Sequence, residues 1–467
     1  MNGKKAIKNV YYTFSANLLT MILSTILTIF IPKLLGVREY GYWQLYMFYL
    51  SYSGFFHFGL IDGIYLKMGG ENYEELDKNT LKGQFYFLLL FEILIAMSII
   101  ILSVFLINDE NKRIIFILVS VSGLLNILRT FVLYILQATN RIREYARLTK
   151  MDRYIYFIFS MIYVFFFGRS FEILIFLDIL SRIIVLIFCL STIKDIFRFP
   201  MPEINLLKFE ILDNLNIGMK LMFGNIAGQL IIGVIRFSIE REWSIEVFGQ
   251  LSFTLSISNM FLVFVNSVSV VMFPLLRRIN QKDLPKIYSS LRRVITFFSY
   301  LFLFFYPLIS SVIVSFLPKF EQGILFMNIL FPIFIFESRM SLISMTYFKT
   351  LRKEKKILTV NFSALLMSIV LSIFLIFYMK NLTLSIYAIV VTLGFRAFLS
   401  DIILSDFLQV NIRKDLFAEL ILTILFIFSN LHNAFYMYMI GIFLYIIMNA
   451  NKVIFDFNFF KEKIFSK

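Results

Sequence analysis

Four arginines stand inside long apolar stretches of this chain: Arg129, Arg182, Arg339 and Arg396. A guanidinium is always charged, and its planar fork of donors matches phosphate or carboxylate oxygens two at a time. Inside a membrane such a group costs about 2.5–3.5 kcal/mol to insert, so it faces a cavity or a partner and marks a functional site by default. Arg129 and Arg339 are 210 positions apart, and Arg182 and Arg396 are 214 apart, which makes them two pairs related by a repeat. Two chemistries fit. One is a cationic substrate site around a central cavity, suited to an anion and best to a diphosphate. The other is mutual neutralisation: Asp178 precedes Arg182 by four residues, on the same helix face, and Glu337 and Asp401 are available to the remaining arginines across helices. Glu92 and Asp62 are similar acids nearer helix ends. His57, in "FFHFGL", reads as a packed polar residue rather than a proton relay.

The elements that must position these charges are membrane helices. Of 467 residues, 59% are hydrophobic, 18% aromatic and only 16% charged, and the mean hydropathy is +0.82, outside the range of soluble domains. A spanning helix needs about 20 mostly apolar residues. Fourteen stretches qualify: 10–35, 42–67, 81–107, 113–138, 152–168, 171–193, 214–239, 246–275, 294–317, 321–348, 357–379, 382–409, 415–431 and 433–450. The chain is therefore expected to be an all-α polytopic membrane protein, since runs this long do not suit an alternating-strand barrel. The first run follows a basic lead without a small-residue cleavage site and reads as a retained helix. Cys189 is the only cysteine and His57 and His432 are the only histidines, so no disulfide, metal centre or cofactor is expected.

The net charge of +15 in a soluble chain would suggest nucleic acid. With both termini placed in the cytoplasm, however, thirty-two of the 45 basic residues fall in inner loops and tails and nine in outer loops. The positive-inside rule accounts for that bias, and no nucleic-acid partner is needed. The outer loops are too short for an extracytoplasmic domain. The longest inner segment, residues 194–213, mixes charges with Phe197, Phe199, Leu206, Leu207, Phe209 and Leu212, as an amphipathic linker lying on the membrane would.

"REYGYWQLYMFYLS" aligns with "IEVFGQLSFTLSIS", Gly41 on Gly249, and "QATNRIREY" with "KTLRKEKK". These echoes suggest two parallel six-helix repeats, with a substrate site between them near mid-membrane. The expected organisation is a lobe over 1–193, the linker over 194–213, a second lobe over 214–409, and two additional helices with a basic tail over 410–467. "REYGYWQL" reads as an outer hairpin, Gly41 permitting a tight reversal and Tyr40, Tyr42 and Trp43 anchoring it at the interface.

"IPKLLGVREYGYWQLY", "LQATNRIREYA", "VFGQLSFTLSI", "MFPLLRRI" and "YFKTLRKEKK", in this order, resemble the Wzx-type O-antigen and capsule repeat-unit flippases, the polysaccharide transporter family of the multidrug/oligosaccharidyl-lipid/polysaccharide (MOP) superfamily. "VIRFSI" departs from that pattern, with Ile235 where the family often has an acid before the basic–aromatic pair. The resemblance implies the MOP flippase fold and translocation of an undecaprenyl-diphosphate-linked oligosaccharide across the bacterial cytoplasmic membrane by alternating access. It further implies a lipid-tail groove at 415–450, and a polysaccharide polymerase and chain-length regulator as partners. The rival readings are a cation-coupled multidrug exporter of the same superfamily and a polytopic polymerase or ligase, the only reading that makes the chain an enzyme.

Overall fold

The computed structural model describes the backbone of residues 3–277 and 281–465. It describes their side chains except at 3–17, 261, 263, 264, 266–275, 277, 354 and 457–465. The basic residues Lys4, Lys5, Lys8, Arg277, Arg278, Lys461, Lys463 and Lys467, counted above as cytoplasmic, lie outside the described side chains. Contacts divide the chain into two compact units, Met1–Ile226 and Ala227–Lys467.

The first unit holds α1 (Gly3–Leu35), α2 (Val37–Ser53), α3 (Leu60–Lys67), α4 (Lys78–Leu106), α5 (Glu110–Ala138), α6 (Ile142–Phe166), α7 (Phe171–Thr192) and the start of α8 (Ile204–Glu242). Side chains place several of its boundaries. Asp77 accepts from the amides of Asn79 and Thr80 to open α4, and Asp109 accepts from Lys112 to open α5; each satisfies first-turn donors that have no partner within the helix. Leu81, Phe85, Ile127, Phe131, Val185 and Cys189, all nearly inaccessible, form the core where α4, α5 and α7 meet. The opposite flanks carry exposed Leu90, Leu94, Phe105 and Phe176, the arrangement required when the surrounding solvent is lipid.

Three expectations for this unit need correction. The span over 42–67 is two helices, α2 and α3, separated by turns that include Phe58 and Gly59 at positive φ. The tight reversal before α2 is made by Gly36, at φ 84°, while Gly41 lies within α2. Tyr40, Tyr42 and Trp43 are buried: the Trp43 indole donates to the Tyr156 hydroxyl at 3.1 Å and Tyr42 stacks on Phe171 at 4.9 Å. They pack the bundle instead of anchoring an interface.

The segment 194–213 belongs to the first unit. Pro200 and Pro202 interrupt it, and from Ile204 it continues into the 39-residue α8. Its contacts gather the loops at one end of the unit. Asp195 accepts from the Tyr73 hydroxyl at 2.8 Å and pairs with Lys78 at 2.9 Å, Arg141 lies 4.5 Å over the Tyr73 ring, and Lys67 pairs with Glu210 and Asp213. Partial burial alone would raise the Asp195 carboxyl, but its bonds to Lys78 and Tyr73 outweigh burial and hold it below the usual carboxylate range. Burial and the bond to Asp195 raise the Tyr73 phenol well above its ordinary value. In the same unit α3 presents Gly59 and Gly63 to Gly218 of α8 so closely that a Cβ on Gly63 would sit 2.0 Å from the Asn214 carbonyl. This is backbone-to-backbone packing that only a small-xxx-small pattern allows.

The second unit continues α8 and adds α9 (Ile245–Arg277), α10 (Leu284–Leu303), α11 (Tyr306–Phe316), α12 (Glu321–Leu330), α13 (Ile333–Arg339), α14 (Met345–Thr350), α15 (Glu354–Leu371), α16 (Leu382–Leu408), α17 (Arg413–Leu431) and α18 (Phe435–Phe465). A π-helical turn, Met340–Ser344, joins α13 to α14. Two spans are bent, by 44° between Leu303 and Tyr306 and by 49° between Leu330 and Ile333. Pro307 and Pro332 sit at these breaks. α10 begins ten residues before the expected 294, carrying Arg292 and Arg293 out of the loop and into the helix.

By length and composition eight of the described helices can cross a membrane, and the two bent pairs raise the number to ten. The other four expected spans, 42–67, 152–168, 246–275 and 415–431, are helical in whole or in large part. Of these, 42–67, 152–168 and 415–431 do not pass that measure, and the side chains over much of 246–275 lie outside those described, so the count of fourteen is not reached among the described residues.

Candidate substrate site

In the first unit four buried or half-buried charges, Arg129, Asp152, Asp178 and Arg182, are joined in one chain of contacts. Asp178 on α7 accepts Nε and Nη2 of Arg182 at 2.7 and 3.3 Å, one turn further along, and also the hydroxyl of Tyr46 from α2. Tyr46 is held in turn by Ser122 of α5 at 2.8 Å. The Asn126 Oδ1 on α5 accepts from both Arg182 Nη1 (3.3 Å) and Arg129 Nη2 (3.2 Å). Arg129 ends the chain against Asp152 of α6 at 2.7 Å. Two cations and two carboxylates balance, and the most accessible member is Arg129, its side chain 15% exposed.

The second unit contains two such clusters. In one, Arg396 on α16 donates to Glu337 on α13 at 2.9 Å and to Asn361 on α15 at 3.0 Å; Glu337 keeps 22% of its side chain accessible. In the other, Arg339 and Arg292 share two acids. Asp401 lies 3.3 Å from Arg339 Nε and 3.2 Å from Arg292 Nε, and Glu419 pairs with Arg339 and lies 2.7 Å from Arg292 Nη2. All four side chains are at most 1% exposed. Tyr288 donates to Asp401, and Tyr300 donates to the Glu419 carbonyl.

Every one of the seven expected site residues thus lies in an ion pair. Arg129, Arg182 and Asp178 share the first unit's chain, Arg396 and Glu337 form their own cluster, and Arg339 and Asp401 enter a closed box. Sequence reasoning missed Asp152, Asn126, Asn361, Arg292 and Glu419. The repeat offset carried a signal for two of these: Asp152 and Asn361 are 209 apart, close to the 210 between Arg129 and Arg339. Among the described residues no group of His, Cys, Asp and Glu is arranged to hold a metal ion.

An apolar groove of about 580 Å³ runs between α13, α15, α16 and α17, its walls including Phe336, Met367, Val391, Gly394, Leu420 and Ile427. At Phe398 and Leu420 it meets a second cavity of about 990 Å³ lined by Asp406, Gln409, Asn411 and Arg413. Together they are apolar along their length and polar at one mouth. With Arg413 at that mouth, the two can hold an anionic head and a hydrocarbon tail at once.

Residues 6–280 match the family model described as "Polysaccharide biosynthesis protein". No curated protein matches the chain in a sequence search. Among solved structures, the lipid II flippase MurJ in an inward closed conformation is similar at a TM-score of 0.67 and 12% identity, over 96% of this chain and 100% of that one. An inward-facing multidrug-resistance MATE transporter of the MOP superfamily is similar at 0.62 and 12%, over 83% and 92%. A MOP superfamily transporter from Pyrococcus furiosus, described as having a binding pocket of reversed polarity, gives 0.53 and 12%, over 86% and 96%. At such identities these likenesses establish the fold, which is that of the MOP superfamily.

Proposed function

Because the chain belongs to the polysaccharide biosynthesis protein family, we propose that it flips undecaprenyl-diphosphate-linked oligosaccharide repeat units from the inner to the outer leaflet of the bacterial cytoplasmic membrane, by alternating access. The observation that carries the reading is the apolar groove between α13, α15, α16 and α17, which meets a cavity that Arg413 lines. A polyprenyl tail needs a lateral apolar path, and a diphosphate needs guanidinium donors near that path. In this reading Arg396, whose partner Glu337 keeps 22% of its side chain accessible, contacts the diphosphate, and Arg129, 15% exposed, is the anion-binding arginine of the first unit. Arg182 and Asp178 hold that chain in register, and Arg339 and Asp401 brace the helices behind the groove. An interior-negative membrane favours outward movement of an anion by ~2.3 kcal/mol per charge per 100 mV.

Residues 1–193 and 214–409 then act as the two transport lobes, and 410–467 contributes α17 to the tail groove. Both termini lie in the cytoplasm, and a polymerase and a chain-length regulator take up the flipped units for O-antigen, capsule or exopolysaccharide. The test is reconstitution of the purified protein in vesicles with a polyprenyl-diphosphate sugar and a membrane-impermeant sugar oxidant. Protein-dependent exposure of inner-leaflet lipid is the expected result; protection equal to that of protein-free vesicles overturns the proposal.

A cation-coupled exporter of the same fold is the second reading. Glu92 on α4 favours it, being 2% exposed with one carboxylate oxygen lacking any hydrogen-bond partner among the described residues. Transport of organic cations by the same vesicles, with no movement of the lipid-linked sugar, would establish that reading instead.

A further inference from the structure

Arg143, Arg147, Lys150, Tyr154, Ile158 and Phe165 lie at spacings of four, three, four, four and seven residues along α6, which places them on one stripe of the helix. The stripe changes character along its length. Its first two turns carry three cations bordering a cavity of about 680 Å³ that Met151 and Tyr154 also line. Beyond it come only exposed apolar groups: Ile158 is 49% and Phe165 58% accessible. The acid in the cavity wall, Glu144, is engaged by Arg141 at 3.2 Å. Among the described residues neither Arg143 nor Arg147, both exposed, forms an ion pair. In the second unit the basic residues Lys353 and Lys356 instead lie over the ring of Phe407 at 5.2 and 6.0 Å.

We infer that this stripe of α6 binds an anionic phospholipid, its phosphate among Arg143, Arg147 and Lys150 and an acyl chain along Ile158 and Phe165. Clustered basic side chains at the end of a membrane helix provide the charge that such head groups seek, and Tyr154 is the kind of ring that sits at head-group depth. From Lys150 to Phe165 the helix rises about 22 Å, more than the ~15 Å of hydrocarbon in one leaflet, so a whole acyl chain has an apolar surface to follow. A free phosphate would use only the basic turns. The inference is independent of what the protein transports.

The test uses full-length protein, delipidated in a neutral detergent, with bound lipid counted by native mass spectrometry during titration with phosphatidylglycerol, phosphatidylcholine or inorganic phosphate. Wild type should hold phosphatidylglycerol roughly a hundredfold more tightly than the R143Q/R147Q/K150Q variant, at about fivefold per cation. The two should hold phosphatidylcholine alike, and a K353Q/K356Q control should match wild type. R147E, a single change at an exposed position, gives the same reading if the triple variant folds poorly. Equal phosphatidylglycerol binding by wild type and either variant overturns the inference. So does displacement of phosphatidylglycerol by inorganic phosphate at equal concentration, which would mark a simple anion site.

Discussion

Arg292 Nη2 and Glu419 Oε1 lie 2.7 Å apart, each side chain 1% exposed, and tie α10 to α17 within the second unit. Arg292 and Arg339 share the buried acids Glu419 and Asp401, with the more exposed Asp415 3.7 Å from Arg292 Nη1, so removing Glu419 leaves the two guanidinium groups one buried carboxylate between them. An isolated buried pair is weak evidence for stability, but breaking one commonly costs about 3–5 kcal/mol.

Glu419→Gln should therefore lower the thermal unfolding temperature of the detergent-solubilised protein markedly. The double variant R292M/E419L should recover most of that loss, because Arg339 and Asp401 remain matched in charge. If the double variant is as unstable as both single changes added together, the two side chains are not coupled.

The box also separates the arginines by role. Arg339→Ala is expected to reduce the amount of folded protein while leaving transport per folded molecule close to wild type. Arg396→Gln should do the reverse, with normal levels and at least a roughly tenfold lower rate, the change equivalent to about 1.4 kcal/mol. Vesicle assays normalised to folded protein distinguish the two patterns.

Asp195 gives the loop end of the first unit a pH dependence. Its carboxyl is depressed in the folded state, so the stabilisation it contributes is present above the ordinary carboxylate pKa and lost as pH falls through the folded value. The side chain is 36% exposed, and solvent screening keeps the effect under about 1 kcal/mol. Asp195→Asn should flatten the acid side of the stability–pH curve and leave the curve above neutrality parallel to wild type.

Gly63→Ala tests the contact of α3 with α8. The new Cβ would meet the Asn214 carbonyl at 2.0 Å, and backbone cannot give way as the far end of a side chain can. A destabilisation of about 1–3 kcal/mol is expected, seen as an earlier unfolding midpoint. Gly224→Ala, where a Cβ meets nothing within 4 Å, should show no such loss.

Long apolar runs made the helices legible, because hydrocarbon solvent demands continuous apolar sequence and intrasegment hydrogen bonds. The same logic hid Arg292 and Asp152. Both stand in charged stretches, "LRRV" and "KMDRY": Arg292 reads as loop and Asp152 as the first residue of the expected 152–168 span, yet α10 and α6 begin earlier and draw them inward. α10 starts at Leu284 because Pro285 suits a first helical turn and Leu284, Ile287, Tyr288 and Leu291 supply an apolar face at helical spacing. The four arginines were legible as charges in apolar sequence. Their division between an exposed cluster and a sealed box was not, since it depends on which of several acids each one meets across helices. Glu419 lies 80 residues from Arg339, and no local pattern joins them.

The 49° break between α12 and α13 has a covalent origin. Pro332 has no amide hydrogen to give the carbonyl of Asn328, and its ring occupies the space that carbonyl would need in a straight helix. Straightening this span costs about 3 kcal/mol or more, whatever surrounds it. The elbow is therefore built into the span by its covalent structure, and Glu337 and Arg339 are both carried on the arm beyond Pro332.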